Sequence, residues 1–305
     1  VDGYPGQPAG LSLLNGRINS AQLKMRPAFV AADSATPTLA VVPDPNWEAV
    51  LVWEGGRIAV DGFNRKLGLV RNCGRGDKPV HDHTCRYADD VVYYPPGSRF
   101  AAGVAEGARY ALGGTGLLRA LAPGQKPGES EGVLVASSGS ARVAQIEAQI
   151  ASGKPARVAV DTPLFSHYGK RVSAGNAGPS LMMDGQPVRQ DAQEGWAMGA
   201  IDDKAHKLLM HDWINRRNPR TAAGVRADGT ILLVAVDGHR HAASVGLTIE
   251  ETRQLMGYLG ARDAINLDGG GSTTMAVCGR LVNQPSDTTG ERAVGDALVF
   301  IPAQR

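Results

Sequence analysis

The 305-residue sequence predicts an α+β fold, a mixed and strand-rich sheet core carrying a few packed helices. Three observations point there. Glycine fills 39 positions, well above the usual share of about 7%, as a turn-rich and largely β architecture requires. Short apolar runs recur between turns built from Gly, Asn and Asp. Helical spacing is confined to two segments, Ala141 to Ser152 and Ile249 to Leu259.

Taken in order, Leu11 to Leu14, then Asn15-Gly16, then Arg17-Ile18 form the first hairpin signal, because an Asn-Gly pair accepts the left-handed angles of a tight β-turn. Thr38 to Val42 and Ala49 to Trp53 read as strands, and Glu54-Gly55-Gly56 turns the second into Arg57 to Val60. Gly132 to Ala136 and Ala156 to Val160 are further strands. Between them, Val143, Ile146 and Ile150 share one helical face. Ala122 to Glu131, rich in Gly and Pro, reads as a surface loop. A hairpin at Asp228-Gly229 leads into the apolar strand ending at Asp237-Gly238. The helix from Ile249 follows, with Thr248 as N-cap and Glu251 completing a capping box. Its apolar residues Ile249, Leu255, Met256 and Leu259 share a face, and Gly260 ends it. A last strand then delivers Asp268 into Gly269-Gly270-Gly271 and the hydroxyls Ser272, Thr273 and Thr274. This strand–helix–strand order places Asp237 and Asp268 at one sheet edge if the two strands run parallel, with side chains within roughly 10 Å.

Charge narrows the function classes. Lys+Arg 32 against Asp+Glu 30 gives a formal charge of +2 without a polybasic run, which argues against nucleic acid as a partner. No stretch approaches the roughly 20 apolar residues of a membrane-spanning helix. The sequence opens at Val1 without a charged-then-apolar leader, so any signal peptide is read as already removed. Of the three cysteines, Cys73 and Cys85 lie in a polar, turn-rich segment where a disulfide would staple a long loop. A zinc site with the intervening His81 and His83 is the rival reading, although structural zinc sites usually pair cysteines two to four residues apart. The disulfide implies an extracytoplasmic compartment. Cys278, in a turn, reads as a free thiol. No metal ligand set and no cofactor are assigned.

The densest motif region is Asn218-Pro219-Arg220-Thr221, the strand ending in Asp237-Gly238, Asp268 with its three glycines, Leu281 to Asp287, and Glu291 to Val294. In this order it resembles the phosphodiester glycosidase domain family, most specifically over residues 175 to 300. Gly10 to Gly16, Gly62-Phe63-Asn64-Arg65 and Gly175-Asn176-Ala177-Gly178-Pro179 resemble earlier landmarks of the family. Val1 to Gly6 stands where the family has an asparagine-glycine-phenylalanine segment, and Asp296 where it has asparagine. The resemblance implies one catalytic domain over residues 1–305, lacking its first strands. It also implies a secreted hydrolase that cleaves a sugar-1-phosphodiester and releases the sugar.

The residues supply a chemical rationale. A phosphate monoester is an acidic leaving group, with a second pKa of about 6, so it needs less protonation than an alkoxide. The site then needs a cation for phosphate and a carboxylate for the anomeric centre. Arg220 is the expected cation, with bidentate geometry and support from Pro219 and Thr221. Asp237 and Asp268 are the expected catalytic carboxylates, without distinction between nucleophile and base. Gly269, Gly270 and Gly271 could offer N–H groups to phosphate, and Ser272 and Thr273 hydroxyls. Asn218, Asn176 and Asn283 are substrate-binding candidates, the last two through the resemblance alone. Trp213 and Trp196 are candidate sugar platforms, with core packing as their alternative. His239 and His241 alternate across Arg240, and a solvated strand edge is the favoured reading there. Two rival functions stand beside the hydrolase: a glycosidase or transglycosylase on a polysaccharide without phosphate, and a non-catalytic carbohydrate-binding or surface-assembly protein. The sugar, the aglycone and the oligomeric state are not encoded legibly.

Overall fold

The computed structural model describes residues 10–20, 26–32, 38–43, 45–71, 84–98, 106–191, 193–194, 196, 211–239, 243–295 and 297–300. The chain divides into two compact units. The first is Val1–Ser180 with Gln190–Asp202, and the second is Leu181–Arg189 with Asp203–Arg305.

The first unit is built of mostly antiparallel sheets, with one parallel pairing between Gly62–Phe63 and Val91–Tyr94. One runs in the order Arg17–Ser20, Ser12–Leu14, Ser173–Asn176, Ala28–Ala32, Thr38–Val42. The predicted hairpin closes as expected, with Asn15 and Gly16 both at positive φ, 53° and 78°. A second sheet centres on Gly132–Ala136, flanked by Val91–Tyr94 and Ala108–Leu112. Every residue of Gly132–Ala136 is buried, because the strand faces apolar neighbours on both sides. Leu134 and Ala136 enter one core cluster, while Val133 and Val135 enter another. A third sheet pairs Glu48–Trp53 with Gly56–Ala59 and Ala156–Asp161. The helix Ala141–Ser152 has the expected bounds. Ser140 caps it by accepting from the Arg142 N–H, Gly153 stops it at φ 64°, and Ile146 is its fully buried anchor.

The second unit is a five-stranded sheet in the order Gln186–Pro187, Ser180–Met183, Ala261–Gly269, Arg220–Arg226, Ile231–Val236. The helix Ile249–Tyr258 packs against it. Ile249 and Met256 meet Leu181, Met182, Ala222, Ala261 and Ala264 in one core. The expected capping box is complete: the Glu251 N–H donates to Thr248 Oγ1, and the Thr248 N–H donates to Glu251 Oε2. Gly224 leaves room for the helix side chain above it, since a Cβ there would meet Met256 Cε at 2.8 Å.

The strand-rich core and the packed helices are present, but the chain is predominantly β rather than an even α+β mixture. No helix among the described residues is long and apolar enough to cross a membrane. Cys73, His81, His83, Arg240, His241 and Asp296 lie outside the described residues, and of Cys85 only the backbone is described, in the strand Thr84–Arg86. Cys278 is exposed and free in the turn between Ala276–Val277 and Arg280–Leu281.

Candidate active site

The second unit brings the two predicted aspartates to one edge of its sheet. Arg220, first residue of its strand, pairs with Val236 on one side and Gly269 on the other. Both flanking strands are antiparallel to the arginine strand, so they run parallel to each other with one strand between them. Asp237 follows Val236 and Asp268 precedes Gly269. Two strand spacings of about 4.8 Å set Val236 and Gly269 roughly 10 Å apart, and the aspartates, one residue after the first and one before the second, are offset by a further two residues along the strands. The two strands thus run parallel, as the expected shared edge requires, with the strand Arg220–Arg226 between them.

Around Asp237 the polar groups are closely linked. Its Oδ1 accepts from Asn283 Nδ2 at 3.2 Å and from the Gln284 N–H at 2.9 Å. Asn283 also donates to the Thr273 carbonyl at 2.9 Å and accepts from the Met275 N–H at 2.7 Å. The Thr221 hydroxyl donates to Thr273 Oγ1 at 3.3 Å. Asn283 thus ties the strand end at Asp237 to the segment after the glycine run. The Thr274 hydroxyl is buried and has no partner among the described residues. Asp268 is exposed, and its Oδ1 accepts from the Gly269 N–H at 2.8 Å.

The three glycines serve separate purposes. A Cβ on Gly269 would lie 2.6 Å from the Pro219 carbonyl oxygen, so close backbone approach excludes any side chain there. Gly270 sits at φ 59° and donates its N–H to that same carbonyl at 3.0 Å. Two of the N–H groups expected to face phosphate are therefore already engaged, by Asp268 and by Pro219. On Gly271 a Cβ would overlap both Asp287 Oδ1 and Arg292 Nη2. Those two side chains form a bidentate pair, with Arg292 Nε donating to Asp287 Oδ2 at 2.6 Å and Nη2 to Oδ1 at 2.5 Å. The pairing holds the Asp287 carboxyl below its ordinary range. Nothing in hydrophobic pattern marks Asp287 and Arg292, although both lie within the motif runs quoted above.

Arg220 differs most from expectation. It is wholly buried, at 0% exposure, and two of its nitrogens are committed to main-chain carbonyls. Nε donates to Leu247 O at 2.8 Å, while Nη2 donates to Trp213 O at 2.7 Å and Arg216 O at 3.0 Å. Burial pushes its guanidinium down to about 10, still protonated at neutral pH. Nη1 is buried without a partner among the described residues. A bidentate clamp on an incoming phosphate would require the nitrogens that now hold the loop together. Asn218 shares in that support: its Nδ2 donates to Asp212 O at 2.8 Å and Arg216 O at 3.1 Å, and its Oδ1 lies 3.0 Å from His239 Nε2. Neither the amide of Asn218 nor the Arg220 fork is left open for a substrate.

The aromatic platforms also differ. Trp213 carries the Arg220 guanidinium 5.2 Å from its ring centre, and Trp196 carries that of Arg26 at 3.5 Å, so one face of each ring is covered by a cation. Asn176 belongs to the first unit. Its Nδ2 donates to the Arg26 and Pro27 carbonyls, and its Oδ1 accepts from the Leu11 N–H at 2.6 Å. That amide is a strand tie rather than an open sugar contact. No cluster of three or more His, Cys, Asp or Glu side chains able to hold a metal occurs among the described residues.

A carboxylate pair at a sheet edge, beside a glycine turn and a salt-bridged arginine, is a polar site with the chemistry of sugar or anion binding. The sequence comparison specifies the class. A family model described as phosphodiester glycosidase matches residues 122–301, and the chain belongs to that family. It is 38% identical over 118 residues to the SPbeta prophage-derived uncharacterized protein YomE of Bacillus subtilis (strain 168), a match spanning 37% of this chain and 18% of that protein. It is 36% identical over 75 residues to the mouse N-acetylglucosamine-1-phosphodiester alpha-N-acetylglucosaminidase, spanning 25% of this chain and 14% of the enzyme. Among solved structures it resembles a Burkholderia pseudomallei protein described as exported, with TM-score 0.74 and 33% identity, covering 95% of this chain and 60% of that one. The chain thus matches only a part of each of these longer proteins.

Proposed function

We propose that this chain is a hydrolase that cleaves the bond between an anomeric carbon and phosphate in a sugar-1-phosphodiester, acting outside the cytoplasm. The single observation that carries this reading is the pair Asp237 and Asp268 on either side of the Arg220 strand end, within a member of the phosphodiester glycosidase family. The mouse relative's name supports the substrate class, and the export of the Burkholderia protein supports the compartment. Residues 1–305 are taken as one functional domain in this proposal.

Asp268 is the carboxylate assigned to the anomeric centre, because it is exposed and, among the described residues, only its Oδ1 accepts a hydrogen bond. Asp237, held by Asn283 and the Gln284 N–H, orients the segment that carries Thr273. Ser272 is assigned to the sugar side, while Thr221, Thr273 and Asn283 brace the segment that carries it. Arg220 and Asn218 act from beneath by fixing the loop carbonyls. The leaving phosphate monoester departs with the bonding electron pair and needs little protonation, so a second acid is dispensable.

Kinetics on an N-acetylhexosamine 1-phosphodiester test the assignment. Asp268→Asn lowers kcat by several orders of magnitude with binding retained, while Asp237→Asn loses about 10- to 100-fold, mostly in KM. Equal and small losses in both variants would remove the pair from catalysis. Turnover of a phosphate-free glycoside at the same rate as the diester would shift the reading to an ordinary glycosidase.

A further inference from the structure

Arg220 is wholly buried, with Nε and Nη2 committed to main-chain carbonyls, which leaves the proposed reaction in need of another cation. We propose that Arg292 is the phosphate-binding residue of this site, and that Asp287 occupies its anion position until phosphate displaces it. The inference rests on the hydrolase reading for its substrate class, but its geometry stands independently.

Four observations converge. Arg292 offers Asp287 two parallel N–H donors, Nε and Nη2, the fork that suits a carboxylate or a phosphate equally. Its side chain is 47% exposed, so an anion can reach it from solvent. Among the described residues its third nitrogen, Nη1, has no partner. The pair lies directly against Gly271, where any Cβ would overlap both Asp287 Oδ1 and Arg292 Nη2. Gly271 is three residues from Asp268 in the chain. The cation therefore packs against the glycine run that follows the carboxylate assigned to the anomeric carbon.

The chemistry favours a cation at that place. Cleavage turns a diester monoanion into a monoester that acquires a second negative charge as the C–O bond breaks. A guanidinium beside the leaving oxygens stabilises this growing charge more than it stabilises the ground state. Asp287 keeps Arg292 in orientation before substrate arrives and competes with it afterwards.

Competition provides the test, because a purely structural ion pair would be broken equally from either end. Inorganic phosphate and an N-acetylhexosamine 1-phosphate are titrated calorimetrically into the wild-type full chain, Arg292→Gln, Arg292→Lys and Asp287→Asn, with circular dichroism confirming the fold of each. Arg292→Gln weakens binding about 10-fold or more, Arg292→Lys weakens it less, and Asp287→Asn strengthens it several-fold. The proposal is overturned if Arg292→Gln and Asp287→Asn move the affinity in the same direction, if neither moves it, or if wild type binds neither probe at millimolar concentration. Diester hydrolysis is followed in parallel. Opposite binding shifts without any turnover would keep the anion site and refute the hydrolase, whereas turnover with unshifted binding would do the reverse.

Discussion

Arg220 illustrates how a residue type can be right for a chemistry while its surroundings assign it another task. A guanidinium in an Asn-Pro-Arg-Thr block suggests a phosphate clamp, yet the folded chain uses it to collect the carbonyls of Trp213, Arg216 and Leu247. Arg220→Lys keeps the charge but cannot span all three acceptors. It should destabilise the fold by about 1–3 kcal/mol through unsatisfied buried groups, measured by urea denaturation. Any loss of activity should follow the loss of folded protein, and selective loss of phosphate affinity in a fully folded Arg220→Lys would return Arg220 to the site. Asp268 and Asp237 contrast with it. Each ends an apolar run before glycine, and the pairing register sets their chain neighbours Val236 and Gly269 beside Arg220.

Among the elements, the helix Ile249–Tyr258 is the most completely specified. Its start is written locally in Thr248 and Glu251, its inner face in Ile249 and Met256. Thr248→Ala should cost about 1 kcal/mol, since the Glu251 N–H loses its acceptor. Glu251 adds a pH dependence. Hydrogen bonding from Arg217, then from the Thr248 N–H, lowers its carboxyl from the ordinary 4.5 to about 2. A depressed folded-state value means that its contribution is present above about 4.5 and is lost as pH falls towards about 2. Glu251→Gln should therefore be less stable than wild type at pH 7, by less than about 1 kcal/mol because the pair is largely exposed, and the two should converge near pH 2. A gap that widened on acidification would contradict this linkage. The glycine run shows what an element-level reading leaves out. Gly270 takes up a left-handed backbone angle, while Gly269 and Gly271 allow close approach of Pro219 and of the Asp287–Arg292 pair.

For the whole molecule, compartment and covalent state are linked. Cys278 is exposed in a surface turn and should be alkylated rapidly in the native protein. Peptide mapping without reduction should find the Cys73 and Cys85 peptides joined if the chain works in an oxidising compartment. Recovery of both as free thiols from such a compartment would count against the staple. Hairpins, capped helices and the buried strand Gly132–Ala136 were legible in sequence because each depends on neighbours a few residues away: a turn pair, a capping side chain, an apolar period. Even the two aspartates at strand ends followed from local pattern. What only tertiary structure decided is which polar groups meet. Asn283 reaching Asp237, Arg292 gripping Asp287 over Gly271, and three main-chain carbonyls converging on Arg220 all depend on contacts between segments whose spacing no local pattern encodes. A side chain's charge is set by its own atoms, but its task is set by which partners the packed chain brings within hydrogen-bonding distance and which it leaves to solvent.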